Sequence, residues 1–200
     1  LDGTEEIGAE AFAGCARLTG VDAGQMQEIR RIGAGAFDGC HSLREAIIGE
    51  KCTSLGKEAF ADCARYSQTL AMFGGLTEIG QGAFSGCTYL KSMWIPSQLR
   101  EIPDECFAGC TSLRSVVVLA GAELETIVNK AFAGCTSLEE LMNFALLPAM
   151  RKIGAGAFYD CTALRELPLH PEAKIVSLGE GAFKNCASLQ NGDLEHTAIT

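Results

Sequence analysis

Ile102-Pro103-Asp104-Glu105-Cys106-Phe107-Ala108-Gly109-Cys110-Thr111-Ser112-Leu113-Arg114-Ser115-Val116-Val117-Val118 carries the pattern from which the rest of the chain can be read. At its centre stand a Phe, two spacers and a Cys; an aliphatic residue lies five positions before the Phe and a Leu three positions after the Cys. The Phe/Cys pair recurs at Phe12/Cys15, Phe37/Cys40, Phe60/Cys63, Phe84/Cys87, Phe132/Cys135, Phe158/Cys161 and Phe183/Cys186, with successive Phe residues 23 to 26 positions apart. The aliphatic slot holds Ile7, Ile32, Leu55, Ile79, Ile127, Ile153 and Leu178. The slot after the Cys holds Leu18, Leu43, Leu90, Leu138, Leu164 and Leu189, with Tyr66 as the one substitution. A fixed period of this length marks a repeat architecture, in which units too small to bury a core alone stack on their neighbours.

Within a unit, Val116 and Val118 alternate with Ser115 and Val117, the period of a half-buried strand. The Ile-Gly segment reads as a short second strand, and Ala-Phe-x-Gly-Cys as a tight helical or 3₁₀ turn. The expected fold is a solenoid with a curved parallel β-sheet on one face and short turns and second strands on the other. Eight repeats of 23 to 26 residues, stacked about 4.8 Å apart, would be roughly 40 Å long. They fill residues 1–200 as one domain, which begins at Leu1 without an initiator Met and reads as a piece of a longer chain.

Written out, the unit is (Leu/Met)-x-x-Ile-Gly-x-x-Ala-Phe-x-Gly-Cys-x-x-Leu-x-x-(Val/Leu)-x-(Leu/Ile). This resembles the BspA-like class of leucine-rich repeats over nearly the whole chain. The resemblance implies a leucine-rich-repeat solenoid and a non-enzymatic protein-protein interaction module, used for adhesion or recognition at cell surfaces. A scaffold subunit of a larger intracellular assembly is the alternative.

Composition bears on both. A net charge of −9 repels a phosphate backbone, so nucleic acid is not an expected partner. The longest apolar stretch, Val116 to Ala120, is far shorter than the roughly 20 residues of a membrane-spanning helix. No Asn-x-Ser/Thr glycosylation site is present, and ten cysteines read as reduced thiols suit a reducing compartment. The resemblance favours the cell surface, so the compartment stays open.

The cysteines admit three readings: buried thiols, a disulfide framework or a metal site. Cys15, Cys40, Cys63, Cys87, Cys110, Cys135, Cys161 and Cys186 form a ladder, Cys106 replaces the Ala before a Phe, and Cys52 takes the slot of Leu99, Leu124 and Met150. All ten thus fall on core slots, where Cys behaves as a small hydrophobe. Parallel side chains would hold the Cβ atoms too far apart for disulfides. No Cys-x-x-Cys pair exists to seed a zinc set. A serine at Cys135 would on this reading bury an unpaired hydroxyl, at about 1 to 3 kcal/mol. No cofactor is expected. His41, beside Cys40, superficially suggests a nucleophile and base, but His41, His170 and His196 all fall outside core slots. Glycines sit at the turn positions and form no phosphate loop.

Counting from the Leu after each Cys, the third and fifth residues point inward and the second and fourth outward. The fourth reads Asp22, Ile47, Leu70, Trp94, Val117, Met142, Pro168 and Asp193. Ile47, Leu70, Trp94, Val117 and Met142 would form an exposed apolar stripe, the kind of patch that marks an interaction site, with the sole Trp at its centre. The opposing reading is that such residues simply favour strands or are covered by flanking chain. Beside the stripe run Arg44, Lys91, Arg114 and Arg165 at the first position and Glu45, Glu140 and Glu166 at the second, a mixed-charge rim.

Overall fold

In the computed structural model, which describes residues 3–21, 27–46, 49–67 and 75–190, the chain winds as a coil of short parallel strands and turns. The front ladder contains Gly20–Val21 paired with Glu45–Ala46, and farther along Ser92–Ile95, Ser115–Val118 and Glu140–Met142 side by side. The rear ladder consists of two-residue strands at the aliphatic slot: Glu6–Ile7, Arg31–Ile32, Ser54–Leu55 and Glu78–Ile79 form one sheet, and Glu101–Ile102, Thr126–Ile127, Lys152–Ile153 and Ser177–Leu178 a second.

A proline divides the rear ladder. The residue after each aliphatic slot donates its N–H to the aliphatic carbonyl one coil back, as Gly56 does to Ile32 and Val128 to Ile102. Pro103 has no N–H to give the Ile79 carbonyl, and the sheet stops there.

Between the ladders lies the core. Ile32, Phe37, Leu43, Phe84, Leu90, Met93, Phe132, Leu138 and Ile153 are all buried, and no polar or charged side chain is buried with them among the described residues. The Phe rings make one continuous stack from Phe12 to Phe183, with centroids 5.0 to 5.6 Å apart and planes within 12°. Tyr66 keeps the Leu slot of its coil: its ring is buried, its N–H bonds the Cys63 carbonyl as Leu43 bonds Cys40, and its hydroxyl donates to the Ala46 carbonyl at 3.1 Å.

The turn differs from the expected helix. Alternate N–H groups leave it: those of Glu105, Phe107 and Gly109 donate to Asn129, Ala131 and Ala133 of the next coil. Cys106, Ala108 and Cys110, alternating with them, close local bonds three residues back. The backbone explains why. The residue two before each Phe and the residue two after it have positive φ throughout, Glu105 (55°) and Gly109 (72°) in this unit, and a left-handed residue on either side of the Phe breaks a right-handed helix. Among the described residues the one 3₁₀ helix is Phe144–Leu146, in a connecting segment.

Candidate functional site

The front sheet puts three residues of the expected stripe in one row. Trp94 pairs in register with Val117 and Val117 with Met142, while Met93, Val116 and Leu141 at the preceding position turn inward. Trp94 is 39% exposed, Met142 46%, and Val117 between them is half-buried. Ile47 and Leu70, predicted to extend this row, lie outside the described residues, as do Asp22, Asp193 and His196.

Beyond Met142 the row reaches Pro168, which cannot donate to the ladder, and its coil keeps only an isolated bridge at Glu166. An open cleft of about 350 Å³ results, lined by Glu139, Glu140, Leu141, Met142, Arg165, Glu166 and Pro168. The Arg165 guanidinium meets Glu139 at 3.2 Å and closes this end of the charged rim.

Arg44, Lys91 and Arg114 are exposed along one edge of the sheet. Their coils are joined by backbone bonds, Ser67 N–H to the Arg44 carbonyl and Arg114 N–H to the Lys91 carbonyl. Two residues absent from the sequence reading join them: Arg65 and Tyr89, each one position before the Leu slot, are exposed on the same edge, Tyr89 at 57%. Counting forward from the Leu overlooked them; counting one residue back would have found Arg17 and Arg65 in the same row.

The cysteines are all free thiols. From Cys40 to Cys186 each ladder Sγ donates to the carbonyl of the Phe one coil back, at 3.1 to 3.2 Å. Cys40, Cys63, Cys87, Cys110, Cys135 and Cys161 are buried, as are Cys52 and Cys106. Two depart from the core expectation. Cys15, on the first described turn, is exposed because its thiol side faces away from the coil of Phe37 stacked on that turn, and Cys186, on the last described turn, is half-buried. Burial pushes the Cys40 thiol up to about 11, and it faces Phe12, whereas His41 Nδ1 donates to the Asp62 carbonyl on the opposite neighbour. The two adjacent side chains therefore do not meet. Among the described residues no group of His, Cys, Asp and Glu is placed to hold a metal ion, and no helix is long and apolar enough to cross a membrane.

Stacked parallel coils with an aliphatic and aromatic core define a leucine-rich-repeat solenoid. The family model for the BspA type Leucine rich repeat region matches residues 5–139 and 118–200 in six copies, and the chain belongs to that family. Solved structures of like fold include a leucine-rich repeat protein of T. pallidum, 26% identical with a TM-score of 0.70, where the match covers 96% of this chain and 75% of that one. A leucine-rich repeat protein from Eubacterium ventriosum is 22% identical with a TM-score of 0.65, covering 91% of this chain and 43% of that one. A leucine rich cell surface protein from Faecalibacterium prausnitzii is 19% identical with a TM-score of 0.59, covering 94% and 70%. No curated protein matches.

Proposed function

We propose that this chain is a non-enzymatic protein-binding solenoid, one domain of eight coils, that takes its partner on the outward face of the front sheet. The observation carrying this is the ladder Trp94, Val117, Met142: three large apolar side chains in parallel register on the solvent side of a sheet whose inner side already has a complete core. Contiguous apolar surface of this kind costs solubility unless it is used, and a half-exposed Trp is a frequent binding anchor. In this reading Ile47 and Leu70 extend the row, and Arg44, Lys91 and Arg114 form its rim. Cell-surface adhesion or recognition is the setting favoured by the family, and one protein of like fold is a cell surface protein. The buried free thiols favour the second reading, a scaffold subunit in a reducing compartment.

The test is affinity capture from the native source by the immobilised chain and by a Trp94→Ala/Val117→Asp variant. Proteins held by the parent should be released by the variant while its far-ultraviolet circular dichroism is unchanged. Equal capture by both would remove the stripe as the site.

A further inference from the structure

The charge on the edge beside the stripe is at odds with the rest of the molecule. The chain as a whole carries −9, yet Arg44, Arg65, Lys91 and Arg114 follow one another along successive coils, all exposed. None of the four has a carboxylate within ion-pair distance among the described residues, whereas Arg30, Lys51, Arg100, Lys130 and Arg165 each do. Glu45 stands exposed next to Arg44 without an ion pair to it, and past Arg114 the next carboxylate on this edge, Glu139, is taken by Arg165.

The four cations are grouped in two shallow clefts. One, of about 280 Å³, is lined by Arg44, Arg65, Ser67 and Tyr89; the other, of about 290 Å³, by Lys91, Ser112, Arg114 and Ser137. Each offers two cations and at least one serine hydroxyl around an open space, a donor set suited to a carboxylate. Tyr89 is exposed in the lining of the first cleft, and Trp94 is exposed three residues along the chain from Lys91 of the second. From Arg44 to Arg114 is three coil steps, about 14 Å at the spacing of stacked strands. An extended peptide covers that length in about four to five residues, with side chains of one face about 7 Å apart.

We propose that the partner crosses this edge with an extended acidic segment, whose carboxylates occupy the two clefts and whose intervening apolar residues lie against Tyr89 and Trp94. This rests on the reading that the front face binds a protein, and adds the chemistry of what is bound. A sulfated polysaccharide would satisfy the cations but leave the apolar row beside them unused.

The probe is a nonapeptide in which Glu alternates with Leu and Gly, with a Gln-for-Glu version and a heparin oligosaccharide as comparisons. Binding is followed by anisotropy of a fluorescein-labelled peptide and, with unlabelled peptide, by emission of Trp94, the only tryptophan. The Glu peptide is expected to bind and to shift Trp94 emission. Raising salt from about 0.05 to 0.5 M, which shortens the screening length severalfold, should weaken it about tenfold, and so should Lys91→Glu/Arg114→Glu, with circular dichroism unchanged. Arg44→Glu/Arg65→Glu gives an independent second variant. Equal binding of the Gln peptide, lost in Trp94→Ala, would overturn the acidic segment and leave the protein-binding face intact. Capture of a native partner by the stripe without binding of the Glu peptide would do the same. Heparin binding in place of peptide binding, or peptide binding indifferent to both charge reversals, would overturn the proposal as well.

Discussion

Cys135 shows what a ladder residue contributes. Its thiol donates to the Phe107 carbonyl at 3.1 Å, and that carbonyl also accepts the Cys110 N–H at 3.2 Å, so one oxygen ties its own turn to itself and to the next coil. From sequence the slot was legible as buried, because Phe and Cys keep one spacing through every unit; the acceptor was not, because it belongs to a residue 28 positions away. The expected cost of a serine changes accordingly. At Cys135 a hydroxyl finds the same acceptor, and Cys135→Ser should lose about 1 kcal/mol, the low end of the range for a buried polar group. Cys135→Ala, which removes both the donor and the sulfur volume, should lose about 2 kcal/mol. Urea unfolding of the two variants checks the order; a serine variant costlier than the alanine one would show that the thiol's hydrogen bond contributes nothing.

At the level of the element, the turn was the least legible part and the strand the most. Period-two alternation around Leu113 and Leu90 gives the inward and outward sets that the sheet shows, Trp94, Val117 and Met142 among the latter. In the turn, Gly at the position two after Phe hints at a left-handed residue, but Glu10, Glu58, Glu105 and Lys130 hold positive φ at the position two before it, and such residues carry no local signal for that conformation. Neighbouring coils impose it by taking the alternate N–H groups. Two glycines separate conformation from space. A Cβ on Gly109 would only touch Gly86 Cα at 3.9 Å, so Gly109→Ala should cost the left-handed penalty alone, about 1 to 2 kcal/mol. A Cβ on Gly56 would collide with the Ala34 backbone nitrogen. Gly56→Ala must push two coils apart and should cost about 3 kcal/mol or more. Thermal unfolding of both gives the comparison; equal losses would refute it.

For the whole molecule, stability is close to a sum of terms between adjacent coils, and the thiol ladder gives that sum a pH dependence. Burial raises Cys40 and Cys52 to about 11 and Cys110 to about 12, against about 8.5 for an exposed thiol. The neutral thiol is the form the core accepts. Its contribution is therefore complete below about pH 8.5 and is lost as pH rises through the folded-state values, at about 1.4 kcal/mol per pH unit for each thiol. Urea midpoints under reducing conditions should be level from about pH 6 to 8 and fall steeply between about pH 9 and 11; a level profile to pH 11 would contradict the buried ladder. Pro103 also divides the rear of the molecule. Without the bond from that residue to Ile79 the rear ladder ends, and the ring spacing there, 5.6 Å between Phe84 and Phe107, is the widest along the stack, followed by 5.5 Å at the neighbouring step. On the front the same two coils stay joined by the four-residue pairing of Ser92–Ile95 with Ser115–Val118, and in the turn by the N–H groups of Gly82 and Gly86, so the gap is a local slit in the rear wall. Amide protons at that rear corner, beside Ile79 and Ile102, should exchange with solvent before those at Ile127, while the front strands of the same coils stay protected.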